Sequence, residues 1–390
     1  MARWEGLPGD LIYAIGERLE YSDYVRLRAV CVSWNSAVPK NPSYLLKQPV
    51  PWLMLPFDDE TQASRSFYSI FEKKVYRLEL PETRGKYFRG SFNGWVVMVE
   101  KGPGLYLFNP LTRAQISLPP LSSFPNVKSY NADMHDEEYT IVDFKGRIAN
   151  WSHFEIQFSF IIKIVVSSIP IPGDPDEFLA VAIYGESSQL GFCRSNDSKW
   201  RAAKIKRNGG FGDVICYQGK IWAVTWNGHL VVAEIDAGPL KFTKVYVKFP
   251  KFVLGSFKYL VGSSDGLMLV ERCTFQGRGL HRSFTYKTIK FKIYKMDSTT
   301  KNLRWLEVTS IGDNVIFLGF NPSVMISSQN FPQLKGNCIY YTDNIDDFHS
   351  PEEDFGGFDI GMFDIAEGSI QEFRELNLDT QLVWPPPIWV

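Results

Sequence analysis

Cysteine is scarce in this chain: Cys31, Cys193, Cys216, Cys273 and Cys338 are the only five in 390 residues. An odd, scattered set without a C-x-x-C pair gives neither a disulfide framework nor a zinc site, and it fits a reducing compartment, nucleus or cytoplasm. The five histidines, His135, His153, His229, His281 and His349, are equally far apart and form no H-E-x-x-H pattern, so no metal is expected. Net charge is nearly absent, with 42 Lys+Arg against 43 Asp+Glu. No global field then draws the molecule to nucleic acid or to an anionic membrane. Long apolar runs are missing too. Residues 158–169 form the most apolar stretch, which is too short to span a bilayer and contains Lys163. The opening residues, interrupted by Pro8 and Asp10, lack the apolar core of a secretion signal.

Catalytic signatures are missing as well. No G-x-S-x-G elbow or kinase set occurs, the glycines from Gly209 to Gly212 are not followed by Lys-Ser/Thr, and the acids near Asp343 lack the calcium-loop spacing. Neither a cofactor nor catalytic residues are expected, and the chain reads as a non-enzyme.

Two textures are present. From about Trp4 to Tyr44, Leu7, Leu11, Ile12, Ile15 and Leu19 recur at helical spacing, with Pro8 suited to a first turn and Asp10 to the positive helix end. A second helix is expected from a cap at Ser22 or Asp23, with Tyr24, Leu27, Cys31 and Trp34 on one face and Pro39 as its stop, so that two or three short helices result. So short a segment buries little surface alone, so its apolar positions either pack as an appendage or meet another protein.

The order of these residues, from Leu7-Pro8 through Leu11 and Ile15 to Val30-Cys31-x-x-Trp34, resembles the F-box. It departs at Val32, where the family favours Arg or Lys, and at Gly16, where a larger residue is usual. The resemblance implies docking onto the Skp adaptor, and through it cullin, by Leu7, Pro8, Leu11, Ile15 and Trp34.

After Pro51 the chain turns to short apolar or alternating runs broken by Gly, Asn, Asp and Pro, an all-β pattern. A unit of strand, turn, strand, tight turn and strand recurs irregularly, at about 40 to 70 residues, as propeller blades with variable loops would. A β-sandwich is the competing architecture. The expectation is a mainly β protein with a small helical N-terminal domain at 1–48 and a β-propeller at 49–390. Its ring is closed by bringing the strand after Pro51 to the C-terminal region.

The Phe-Asn-Pro-Leu-Thr-Arg run from Phe108, Val-Gly-Ser-Ser-Asp-Gly from Val261, the Phe317 to Phe320 turn, Asn337 to Tyr341 and the closing Pro386-Pro387-Ile388-Trp389 resemble a large group of plant F-box proteins with a kelch-like C-terminal domain. That resemblance implies a substrate-recognition subunit of a Skp-cullin-F-box ubiquitin ligase, whose propeller captures an unidentified target protein. A non-degradative scaffold or inhibitor is the alternative, and a propeller enzyme a more distant one. Charge is locally uneven, basic over 272–304 and acidic over 343–359, as solvated strand and loop or as partner-facing patches. The acidic segment, Asp346, Asp347, Glu352, Glu353 and Asp354 with Phe348 and Phe355 beside them, is the expected target contact, since charge steers and aromatics anchor.

Overall fold

The computed structural model describes residues 6–19, 21–39, 50–57, 63–143, 145–168, 178–205, 209–235, 240–250, 252–253, 255–278, 284–299, 302–331, 333–343, 359–373, 376 and 387–390. The chain divides into two compact units, Met1–Pro51 and Trp52–Val390.

In the first unit, α1 (Gly9–Gly16), α2 (Tyr21–Ala29) and α3 (Val32–Ala37) gather around Ile12, Tyr24, Leu27 and Val38. The Tyr24 hydroxyl donates to the Pro39 carbonyl at 2.7 Å, fixing the segment that leaves α3. Of the two or three short helices expected, the structure has three among the described residues. The backbone opens at Cys31, which is extended (φ -163°) before α3 begins, where Val30 and Val32 supply β-branched residues that helices tolerate poorly. Ser22 and Asp23 lie inside α2, not at its cap, and Asp23 pairs with Arg26 at 2.7 Å.

Among the described residues the second unit is built from seven sheets. β1 (Leu53–Phe57), β2 (Ser64–Ser69) and β3 (Lys74–Glu79) make the first, and β4 (Tyr87–Phe92), β5 (Trp95–Val99), β6 (Leu105–Phe108) and β7 (Gln115–Ser117) the second. β8 (Val127–Tyr130), β9 (Tyr139–Val142) and β10 (Ile148–Trp151) form a small three-stranded sheet. A capped turn, α4 (His153–Glu155), and a π-helical turn at Ile156–Phe160 follow it. Then come β11 (Ile161–Val166), β12 (Leu179–Tyr184), β13 (Gln189–Arg194) and β14 (Arg201–Ala202), and next β15 (Phe211–Tyr217), β16 (Lys220–Thr225), β17 (Leu230–Glu234) and β18 (Thr243–Val245). A further sheet holds β19 (Phe257–Ser263), β20 (Gly266–Arg278), β21 (Phe284–Asp297) and β22 (Arg304–Val308). The last has β23 (Asn314–Leu318), β24 (Val324–Ser327), β25 (Cys338–Tyr341), β26 (Gly361–Asp364) and β27 (Ser369–Glu372). β28 (Ile388–Trp389) returns to the first sheet, where Leu53 pairs with Trp389 and Met54 with Ile388.

Six of these sheets are blades around one axis. Edge strand β4 lies against β11, β11 against β15, β15 against β19, β19 against β24, and β28 against β4. Because β4 meets β11 directly, the β8–β10 sheet does not come between them; it packs against the second and third blades through Tyr139, Ile141 and Trp151. Two-residue turns set the register of several hairpins. Asn93 (φ 45°) and Gly94 (φ 78°) join β4 to β5, and Gln218 (φ 49°) and Gly219 (φ 69°) join β15 to β16; two successive left-handed residues give the turn whose twist matches the strands.

β23 runs parallel to β25 and separates it from β24, so the last blade has five strands. The described part of the apolar stretch forms the end of the π-helical turn, through Phe160, and the buried strand β11. Lys163 on that strand is buried and paired with Asp213 of β15, whose other carboxylate oxygen accepts the Leu260 N–H of β19 at 2.7 Å. One carboxylate thus ties three inner strands together. Burial raises the Asp213 pKa, against the pull of Lys163.

In an antiparallel blade the first and third turns share one end, and the second turn shares the other with the link to the next blade. The first end carries the Asn93-Gly94, Gln218-Gly219 and Ser264-Asp265 turns. The other carries the β20–β21 hairpin, the β25–β26 connection and the β8–β10 sheet.

Candidate functional site

Two surfaces carry the residues that composition and motif point to. On the helical unit, α1 turns Ile12 inward and leaves Leu11 (53% exposed) and Ile15 (41%) one turn apart on its outer face. Pro8, exposed, stands at the N-cap of the same helix. Leu7 and Trp34 behave differently: both are half-buried against the helical core. The structure therefore brings Pro8, Leu11 and Ile15 to one helix and uses Leu7 and Trp34 partly as internal packing. Sequence reasoning passed over Val30 (57%) and Val32 (83%), exposed at the α2–α3 junction. Their signal was the β-branched Val30-Cys31-Val32 run at a helix break. Each aliphatic side chain left in water here stands to contribute about 1.5 to 3 kcal/mol when a partner covers it.

On the propeller, Asp346, Asp347, Phe348, Glu352, Glu353, Asp354 and Phe355 lie outside the described residues. Their flanks are well defined. The Asp359 N–H donates to the Asp343 carboxylate at 3.4 Å, so the segment leaves and returns at one place. That place is fixed by Arg272 of β20, fully buried, whose Nη2 lies 2.9 Å from Asp359 Oδ2 and whose Nη1 donates to the Thr342 carbonyl at 2.8 Å. Thr288 of β21 donates to the same carboxylate oxygen through its N–H (2.8 Å) and its hydroxyl (2.6 Å). The β20–β21 hairpin and the base of the acidic segment are one hydrogen-bonded unit.

The basic run behaves as a half-buried strand at its lower end. Phe291 and Ile293 of β21 are buried while Lys290 is exposed. A cavity of about 280 Å³ lies between the small sheet and the β12–β13 turn, lined by Asp143, Arg147, Trp151, Glu186 and neighbours. Its ionic groups Asp143 and Arg147 already pair with each other. Nearby, Glu138 accepts hydrogen bonds from the His153 N–H and ring nitrogen, both at 2.9 Å. Burial would raise the Glu138 pKa, but these bonds outweigh it and bring it to about 2. Among the described residues, no three His, Cys, Asp or Glu side chains are grouped as a metal ion needs, and no helix is long and apolar enough to cross a membrane.

The model of the KIB1-4 beta-propeller family matches residues 67–364, spanning the second to the fifth of the blade-forming sheets, most of the last and part of the first. Among curated proteins of Arabidopsis thaliana, F-box protein SKIP23 is 27% identical over 416 residues, covering 100% of this chain and 96% of that protein. F-box protein At2g17036 is also 27% identical, over 417 residues and 95% of its length. F-box/kelch-repeat protein At1g64840 is 24% identical over 353 residues, covering 88% of this chain and 85% of its own. With a propeller that follows an F-box-like helical unit in the sequence, the chain belongs to the KIB1-4 beta-propeller family and is a plant-type F-box protein.

Proposed function

We propose that the protein is the substrate-recognition subunit of a Skp-cullin-F-box E3 ubiquitin ligase, a non-catalytic receptor acting in the nucleus or cytoplasm. The observation that carries this reading is the outward pair Leu11 and Ile15 on a helical unit whose own core is already supplied by Ile12, Tyr24, Leu27 and Val38. Apolar side chains that internal packing does not need, at the positions matching the F-box motif, are suited to the Skp adaptor, with Pro8 beside them and Leu7 and Trp34 holding the helices in place. Ubiquitin transfer belongs to other subunits in this reading. The propeller presents its elaborated end to the target, where loops vary without disturbing the strands, and Asp346, Asp347, Phe348, Glu352, Glu353, Asp354 and Phe355 belong to that contact.

Reconstitution tests it. The full chain mixed with Skp adaptor, cullin, RING subunit, activating and conjugating enzymes is expected to acquire ubiquitin only when the adaptor is present. A chain that joins the adaptor without supporting any transfer would instead fit a non-degradative scaffold.

A further inference from the structure

β20 and β21 are the longest strands of the protein, 13 and 14 residues. β19 accompanies β20 only as far as Arg272, and β22 pairs with β21 only from Ile293 onward. Beyond those points the two strands continue as a two-stranded arm, from Cys273 to Arg278 and from Phe284 to Lys290. Among the described residues, no strand pairs with the Cys273 to Arg278 edge on the side that β19 covers lower down.

The arm is rooted firmly and apolar where it need not be. Its base is the Arg272, Thr288 and Asp359 network, so its direction is set by buried hydrogen bonds. Above that base, Phe275 is 65% exposed and Ile289, set out by the irregularity between Cys273 and Thr274, is 53% exposed. Two-stranded ribbons that project into water usually carry polar side chains, and an exposed aromatic on a rigid strand marks a contact site.

Its charge is of one sign. Over 273–290 the sequence contains no Asp or Glu, while Arg278, Arg282, Lys287 and Lys290 fall there. Lys287 pairs with Glu372 of the last blade, but the exposed Lys290 has no ion pair among the described residues.

We propose that this arm is a docking site for an acidic, extended segment of the target protein, which adds as a third strand to the Cys273 to Arg278 edge. Its apolar side chains cover Phe275 and Ile289, and its carboxylates face Lys290 and the neighbouring cations. Strand addition supplies affinity through main-chain hydrogen bonds, and alternate side chains supply selectivity. The proposal rests on the receptor reading above and names the recognition element within it.

The test uses the full chain in complex with purified Skp adaptor and two fluorescein-labelled peptides, (Glu-Val)6 and (Lys-Val)6, with a single-stranded oligonucleotide as the competing anion. Fluorescence anisotropy is expected to show saturable binding of (Glu-Val)6, at least about tenfold tighter than (Lys-Val)6 and weakening with salt. Phe275→Ser and Lys290→Glu, both at exposed positions, should each weaken it by about fivefold or more at unchanged melting temperature, and Lys290→Arg should retain it. Equal binding of the two peptides, indifference to the substitutions, or tighter binding of the oligonucleotide would overturn the proposal. Assembly with the adaptor is read separately by size-exclusion chromatography. Loss of assembly counts against the receptor reading, whereas intact assembly without peptide binding counts against the arm alone.

Discussion

Arg272 and Asp359, separated by 87 positions in sequence, meet at 2.9 Å in a site where their side chains are 0% and 2% exposed, joining the fifth blade to the sixth. The cation also stacks over Tyr341, 4.8 Å from the ring centroid. Removing one member of such a pair leaves an uncompensated buried charge, so Asp359→Ala should cost about 3 to 5 kcal/mol of stability. Replacing both partners with apolar residues, Arg272→Met with Asp359→Leu, should recover much of that loss. Urea denaturation of these two variants beside the parent checks this; a single substitution with no effect would mean the pair does not join the blades.

Ring closure gives a second expectation. Trp389 is 1% exposed, its ring edge meets Phe317, and its Nε1–H donates to the Leu318 carbonyl at 3.1 Å. Trp389→Ala should destabilise by about 3 to 5 kcal/mol. Deleting Ile388 to Val390 should do more, since it strips β1 of its partner and opens an edge to association. Size-exclusion chromatography of the deletion is expected to show aggregates; a monomer melting as cooperatively as the parent would contradict closure through β28.

How much of this was legible follows from which signals are local. The two-residue turns at Asn93 and Gln218 and the alternating strands come from short-range patterns that the sequence displays directly, whereas the terminal pairing around Leu53 followed from the closure that a propeller requires. The parallel β23–β25 pair and the β8–β10 sheet were invisible because both depend on which distant strand offers a partner, which no local period encodes. In the helical unit the apolar stripe was readable, but its division into inward Ile12 and outward Leu11 and Ile15 depends on how three helices pack. The break at Cys31 cost the sequence reading two exposed residues, Val30 and Val32.

The Glu138 and His153 contact makes stability depend on acid. The carboxyl is held at about 2 against an ordinary 4.5. A group depressed on folding contributes fully above its unfolded pKa and loses that contribution as pH falls toward its folded one. The melting temperature should therefore decline between about pH 4.5 and 2, and Glu138→Gln should flatten that part of the profile while lowering stability at neutral pH. An unchanged slope in the variant would show that other carboxyls govern acid unfolding.

Inward and outward positions of α1 should separate cleanly. Ile12→Asp places a charge in the helical core and is expected to unfold that unit, seen as lost helical circular dichroism, without shifting the propeller's melting transition. Ala at Leu11 should leave both signals intact, since that side chain is half in water. Equal damage from the two substitutions would mean that Leu11 is also structural.

The most direct measurement is calorimetric titration of the full chain with purified Skp adaptor, comparing the parent with the double variant Leu11→Asp, Ile15→Asp. The parent should bind in a one-to-one complex. The variant, which would have to bury two carboxylates against an apolar surface, should bind at least about 100-fold more weakly while its propeller melts as before. A parent that does not bind the adaptor, or a variant that binds it equally well, would contradict the receptor assignment.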